Sequence, residues 1–287
     1  MLRNIRYRKS MPRPSALPSP FLKWAGGKRQ LLPRILGSMP DGVRTYYEPF
    51  VGGGAVFFAL AARGRFERAV LGDANEELIN CYAALQKDVG GVIRALRRHR
   101  YDRAHYYAVR AREPASMSQA GRAARLIYLN RCGYNGLYRV NRSGQFNVPF
   151  GRYKDPVICD EPKLRAASAA LQSVKLVHGD FEKTLAGARS GDFVYLDPPY
   201  VPLSATSSFT AYAKTPFDAA AQARLAGKLR ALGERGVRAL LSNSDCAETR
   251  ALYDPTLSER VPVRRAINSV ASGRGSVGEL LVKSFSY

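Results

Sequence analysis

Four consecutive apolar residues, Phe193-Val194-Tyr195-Leu196, run straight into Asp197-Pro198-Pro199-Tyr200. β-Branched and aromatic residues in a short run opened by Ser190-Gly191 predict a fully buried strand. Neither proline can donate to a ladder, so the strand stops there and presents Asp197 and Tyr200 at its carboxyl end. In open α/β sheets that end is where ligands bind. The chemistry suits an amino group on an aromatic base. The carboxylate accepts a hydrogen bond, the prolines leave neighbouring carbonyls without local N–H partners, and the Tyr ring offers a stacking face. Taken alone, the tetrapeptide is equally a plain strand terminator; what lies upstream decides between the two.

Charge is the informative part of the composition. Across 287 residues, 45 Lys and Arg face 23 Asp and Glu, a net charge of +22. A field of that sign attracts polyphosphates, nucleic acid above all, although a preference for Arg in an Ala- and Gly-rich chain also raises the pI. The length suits one large α/β domain with an inserted module. No apolar run reaches the ~18 residues of a membrane span, and the N-terminus lacks a signal-peptide core. A soluble, cytoplasmic protein is therefore expected. Cys81, Cys132, Cys159 and Cys246 stand far apart, and His99, His105 and His178 form no ligand pattern. Neither a metal site nor a structural disulfide is expected.

Residues 1–19 form a basic, proline-rich tail, expected to be disordered. The stretch FLKWAGGK at residues 21–28 holds the single Trp ahead of an apolar helical pattern, Leu31, Leu32 and Ile35. Glycines before a helix let backbone N–H groups approach a ligand, Lys28 is suited to pair with a carboxylate, and Trp24 to cover an apolar or cationic group. A tight turn with a core Trp fits the same letters. EPFVGGGAVF at residues 48–57 reads as a strand entering a glycine loop and then a helix, with Phe57 where the third glycine of the dinucleotide fingerprint would stand. The next strand, residues 68–72, ends at Asp73. That acid suits ribose hydroxyls at the expected spacing, or equally a helix cap, as does Asn75. Together these features point to a nucleoside-containing cofactor.

Residues 76–160 change character. Apolar positions recur at helical spacing, so the segment reads as a mostly helical insertion. It ends in NRCGYNGLYRVNRSGQFNVPFGRYK, residues 130–154, with hairpin-like turns predicted at Asn135-Gly136 and Ser143-Gly144. Arg pairs with guanine, Asn with adenine, apolar groups with a thymine methyl, and aromatics wedge into stacks. After residue 160 the α/β pattern resumes. A strand at 174–177 leads to Asp180, suited to accept from an adenine amino group or to cap a helix. Residues 204–214 read as a loop over the site. A helix follows at 218–233, a strand at 237–241 running into Ser242-Asn243-Ser244-Asp245, a flexible turn at 272–276 and a final strand at 279–285.

The order FLKWAGGK, EPFVGGG, GDAN, NRCGYNGLYRVN…FNVPFGRY, DPPY and SNSD resembles the Dam-type DNA adenine-N6 methyltransferases, from about residue 20 to the end. The DPPY motif is shared with other amino methyltransferases; the NRxGYNG…FNVPFGRY segment is far more specific. The resemblance implies a doubly wound, Rossmann-like α/β methyltransferase fold with S-adenosyl-L-methionine as donor. Residues 20–75 and 161–287 would form the catalytic domain and 76–160 the target-recognition insertion with its β-hairpin. By the same resemblance Trp24, Lys28, Phe50, Gly52, Gly54, Asp73, Asp180 and Asp197 would hold the cofactor. Asp197, Pro198, Pro199 and Tyr200 would grip an extruded adenine. Tyr134 would wedge into the duplex, with Asn135 near the orphaned base. Leu137 and Pro149 would meet thymine and Arg139 a guanine, Lys23 and Tyr153 would read the outer guanine, and Arg152 joins this DNA-binding set. The family's target is GATC. Cys132, Tyr138 and the Gly53-Gly54 pair depart from the pattern without touching a proposed base contact.

The partner expected is double-stranded DNA, with no membrane or metal, and a monomer suffices. Two other readings compete: a methyltransferase for RNA or a protein amide, and a DNA-binding module that has lost catalysis. An amide enzyme more often carries Asn at the position of Asp197. A nicotinamide oxidoreductase is disfavoured by the missing third glycine.

Overall fold

The structure is a computed structural model describing residues 16–24, 26, 28, 30–200, 217–264 and 276–285. The loop expected at 204–214, most of the basic tail and most of the turn at 272–276 lie outside the described residues. In chain order the elements are α1 (Leu32–Ser38), β1 (Val43–Glu48), α2 (Ala55–Ala61), β2 (Phe66–Asp73), α3 (Glu76–Leu96), α4 (Arg103–Ala111) and α5 (Gln119–Cys132). They continue with α6 (Glu161–Ala170), β3 (Val174–His178), α7 (Phe181–Leu185), β4 (Phe193–Leu196), α8 (Ala219–Glu234), β5 (Arg238–Ser244), α9 (Ala247–Arg250), β6 (Ser258–Arg264) and β7 (Ser276–Lys283).

The strands form one seven-stranded sheet in the order β3-β2-β1-β4-β5-β7-β6. The first five run parallel, and β7 pairs antiparallel with both β5 and β6. All four residues of β4 are buried, as expected for a parallel strand covered on both faces. Its side chains alternate between two cores. Phe193 and Tyr195 pack with Tyr46, Phe57, Tyr82 and Tyr128, while Val194 and Leu196 pack with Tyr47, Phe181, Leu225 and Leu229.

This order places the site. The chain builds outward through β1, β2 and β3, then returns to lay β4 on the other side of β1, with Tyr46 opposite Phe193 and Tyr47 opposite Val194. Between β1 and β4 the winding reverses, and a crevice opens at the carboxyl ends of both strands. The glycine loop leaves β1 there and Asp197 leaves β4 there, about 150 residues apart in sequence yet on adjacent strands.

Helix starts follow the expected chemistry. Asn75 caps α3 by accepting from the Leu78 N–H, and Asp102, Ser118 and Asp218 do the same for α4, α5 and α8. α3 breaks at Asp88, where φ is −148° and ψ 69°. It packs along α5 within the insertion and also against α6 and β3, so the insertion shares its core with the sheet. No described helix is long and apolar enough to cross a membrane.

Candidate active site

Lys28 ties the crevice together. Its side chain is 5% exposed, and its Nζ lies 2.8 Å from Asp197 Oδ1. The same ammonium donates to the Gly26 carbonyl at 2.9 Å and sits 4.7 Å from the Tyr200 ring centroid. The carboxylate that the sequence offered to Lys28 is thus the one that ends β4. Ser242 Oγ donates to the same Asp197 Oδ1 at 3.1 Å and shares a 2.9 Å hydrogen bond with Tyr195 Oη. Burial pushes the Asp197 carboxyl above the usual carboxylate range, against the opposing pull of Lys28 and Ser242. One oxygen is therefore doubly engaged, while Oδ2 makes no hydrogen bond to the described residues.

The rest of the tetrapeptide is held from behind. Gln222 Nε2 donates to the Pro199 carbonyl at 2.9 Å, and Asn243 Nδ2 donates to Gln222 Oε1 at 3.0 Å; both amides are buried. Tyr200 Oη donates to Glu279 Oε2 at 2.9 Å. Pro198 is buried, and its carbonyl accepts nothing from the described residues. Asp197, Lys28, Trp24, Glu48, Val51 and Gly53 line a cleft of about 130 Å³.

The glycine loop lies beside it. Gly52 and Gly54 have φ of +48° and +70°, conformations that disfavour any side chain. A Cβ on Gly54 would fall 2.7 Å from Tyr82 Oη. Asp73 ties the loop to β2: its Oδ2 accepts from the Gly52 N–H at 3.1 Å and its Oδ1 from the Asn75 N–H at 2.9 Å. Burial pushes the Asp73 carboxyl up to about 6, in spite of those hydrogen bonds. The helix cap suggested for Asp73 is taken by Asn75 instead. Asp180 also serves as a helix cap. It caps α7 through the Glu182 N–H and pairs with Arg224 at 2.7 Å. Phe50 packs against Phe181 and Phe217 next to it.

Residues 130–154 form one hairpin, not two. Val140 bridges Phe146 around a turn at 141–145, with Gly144 at φ +78°. Asn135-Gly136, predicted as a second hairpin turn, instead makes a local turn closed by the Leu137 N–H donating to the Tyr134 carbonyl. Asn135 is the only described non-glycine residue with positive φ, at +53°. That turn leaves Tyr134 52% exposed and Asn135 exposed beside it. Arg139 is braced by Asn147, with Nε donating to its Oδ1 at 2.7 Å and Nη2 to its carbonyl at 3.3 Å. The Nη1–Nη2 edge of the guanidinium keeps donors for a bidentate partner. Lys23 Nζ lies 4.5 Å from the Tyr153 ring centroid, so these two expected partners do come together. Pro149 and Arg152 are exposed and Leu137 half-buried.

Several site residues escaped the sequence reading. Ser242, Gln222 and Glu279 hold the tetrapeptide from other strands and helices. Asn130 and Arg131 tie residues 21–23 to the insertion: Asn130 accepts from the Lys23 N–H and donates to the Lys23 and Gly136 carbonyls, all at 2.8 Å, and Arg131 donates to the Phe21 carbonyl at 2.9 Å. Only the run of polar residues in SNSD and NR, within apolar surroundings, hinted at them.

Residues 24–268 match the family described as D12 class N6 adenine-specific DNA methyltransferase. The chain belongs to that family. A type II methyltransferase of Lactococcus lactis subsp. cremoris, M1.LlaDCHI, is 42% identical over 93% of this chain and 95% of its own. M.MjaIII, a type II methyltransferase of Methanocaldococcus jannaschii, is 40% identical over 93% and 99%. The DNA adenine methylase of Escherichia coli K12 is 40% identical over 91% and 93%. The chain is thus an S-adenosylmethionine-dependent enzyme that methylates adenine N6 in DNA. Membership decides against the RNA, protein-amide and binding-only readings.

The residues present fit that donor. A loop whose glycines admit no Cβ, an acid at the end of β2 with a lone pair left on each oxygen, and aromatic rings at Trp24 and Phe50 suit a nucleoside bearing a sulfonium. Among the described residues no three His, Cys, Asp or Glu side chains cluster as metal ligands.

Proposed function

We propose that the enzyme methylates the adenine of GATC in duplex DNA after the base swings out of the stack into the crevice at Asp197. The half-satisfied Asp197 carboxylate carries this reading. Lys28 and Ser242 fix Oδ1 and with it the plane of the group, and Oδ2 remains to accept one amino hydrogen of the base. The Pro198 carbonyl accepts the other, which turns the nitrogen lone pair toward the methyl group. Tyr200, gripped by Lys28 and Glu279, stacks on the ring. Extrusion costs a few kcal/mol, and stacking and the two hydrogen bonds offset it.

Trp24, Lys28, Phe50, Gly52, Gly54, Asp73, Asp180 and Asp197 would hold S-adenosylmethionine, which would supply a methyl group whose sulfur leaves as a neutral thioether without an acid. The surplus amino proton would pass by way of Asp197 Oδ2 to solvent. The protein's contribution is then orientation and electrostatics. Residues 76–160 serve as the recognition unit. Tyr134 fills the gap left by the base and Asn135 meets its orphaned partner. Arg139 reads guanine, Leu137 and Pro149 meet thymine, Lys23 and Tyr153 reach the outer guanine, and Arg152 contacts the duplex alongside them. The exposure of Tyr134 and Asn135 and the bracing of Arg139 support this reading.

The test uses methyl-labelled S-adenosylmethionine with two duplexes, one carrying a central GATC and one the same bases scrambled. Label is expected on the GATC duplex alone, recovered as N6-methyladenine. Equal label on both would overturn the base-reading assignments. Asp197→Ala should lower turnover on the order of 10³-fold while DNA affinity is retained; near-normal turnover would remove Asp197 from the reaction.

A further inference from the structure

Trp24 is held from two sides by parts of the chain that serve different partners. On one side is the glycine loop. A Cβ on Gly52 would lie 2.8 Å from Trp24 Cδ1, and one on Gly53 would lie 2.9 Å from Trp24 Cβ. The indole can lean on this loop only because both positions are glycine. On the other side is Tyr138, whose ring stacks on the indole with centroids 5.5 Å apart and planes 28° apart.

Tyr138 belongs to the recognition hairpin, between Leu137 and Arg139. Its ring meets Phe146 of the returning arm edge-on at 5.7 Å. The side chain of Asn75, two residues beyond Asp73, opposes the rise in pKa that burial imposes on the Tyr138 hydroxyl. One hairpin residue therefore touches both flanks of the donor crevice: the indole over the glycine loop and the turn that follows the β2 acid. A small residue that admits the indole and a large one that stacks on it make a matched pair.

We propose that Tyr138 is a positioning residue for Trp24, and that the Trp24–Tyr138 stack couples duplex binding at the hairpin to donor binding at the glycine loop. The inference rests on the reading that Trp24 belongs to the donor site. A duplex that fixes the hairpin fixes Tyr138, and so the ring against which the indole is placed. The donor then meets an indole already in position, and by reciprocity a bound donor favours the docked hairpin. The stack carries this coupling; the hydroxyl only steers the ring.

The chain's single tryptophan is Trp24, so indole emission reports this residue alone. Emission titrations with S-adenosylhomocysteine, which cannot transfer a methyl group, give its affinity with and without saturating GATC duplex. In the wild-type chain the duplex should tighten binding at least about fivefold. Tyr138→Leu should bring the two affinities within about twofold, while Tyr138→Phe, which keeps the ring, should retain the wild-type ratio. No coupling in the wild type, undiminished coupling in Tyr138→Leu, or loss in Tyr138→Phe would each overturn the proposal. Should the Leu variant fail to fold by circular dichroism, the wild type decides: duplex alone must change Trp24 emission, and unchanged emission refutes the link. A separate arm guards the underlying reading. Calorimetry on Trp24→Ala should show weakened S-adenosylhomocysteine binding without DNA. Unaltered affinity there would remove Trp24 from the donor site, a failure distinct from loss of coupling.

Discussion

Glu48 closes β1 with its carboxyl sealed from water: it is 2% exposed, and Tyr46 Oη donates to its Oε2 at 2.8 Å. Burial pushes it up to about 8, the nearby Asp197 adds to the shift, and Tyr46, the Phe57 N–H and Lys28 oppose it. At neutral pH Glu48 is therefore mostly protonated, leaving Asp197 as the anion that faces Lys28. The sign for stability follows. The folded chain holds this proton up to about pH 8, whereas an unfolded Glu releases it near pH 4.3, so the contribution is complete below about pH 4 and shrinks as pH rises toward 8. Glu48→Gln mimics the protonated form, and the Tyr46 hydroxyl can turn to accept from the new amide. Urea melts at pH 5 and pH 8 should show the wild type losing more stability than the variant, by on the order of a few kcal/mol. Parallel losses in the two proteins would mean that Glu48 is ionised throughout.

The element that joins the two halves of the site is the pairing of α5 with residues 21–24, and Asn130 is its bolt. It is 1% exposed, and its amide satisfies three backbone groups on two segments. Gly136 must be glycine here, since a Cβ would fall 2.6 Å from Lys23 Cβ. Asn130→Ala would leave buried backbone groups unpaired at about 1–3 kcal/mol each. It should lower stability by roughly 2–4 kcal/mol in a denaturant melt, with Lys23 and Tyr153 parting at the same time. A loss under 0.5 kcal/mol would show that water replaces the amide. This bolt marks where sequence reading ends. The strand ending at Asp197, the glycine turn after β1 and Asp73 on β2 were legible because each rests on local chemistry: prolines, positive φ, apolar alternation. Lys23 with Asn130, Gln222 with Pro199 and Ser242 with Asp197 join residues far apart in the chain, and no local pattern encodes such partners. The Asn135-Gly136 turn was legible as a turn but not as a hairpin end, because the strands it would join never pair. The helix cap at Asp180 was legible in the sequence, whereas its pairing with Arg224, which the packing of α8 brings to it, was not.

For the whole molecule, the net charge of +22 sets how it meets a polyanion, but not every cation takes part. Arg125 is buried, with Nε and Nη2 donating to the carbonyls of Val109 and Arg110, and Arg131 is spent on Phe21. Arg125 thus joins α5 to the end of α4, and Arg131 joins α5 to Phe21. Under the proposed function, exposed cations on the hairpin side, Arg152 among them, would meet phosphate, and each phosphate they neutralised would release a counterion. Arg139 differs, because Asn147 braces it for one geometry. The two classes separate in a salt titration. Arg152→Ala should weaken GATC and scrambled duplexes alike and make the slope of log K against log salt shallower by about 1. Arg139→Ala should cost about 1–3 kcal/mol on GATC alone and leave the slope nearly unchanged. A shallower slope with equal loss on both duplexes would make Arg139 one more phosphate contact. The brace from Asn147 would then serve the hairpin's fold, and Lys23 and Tyr153 would be left as the proposed guanine contacts.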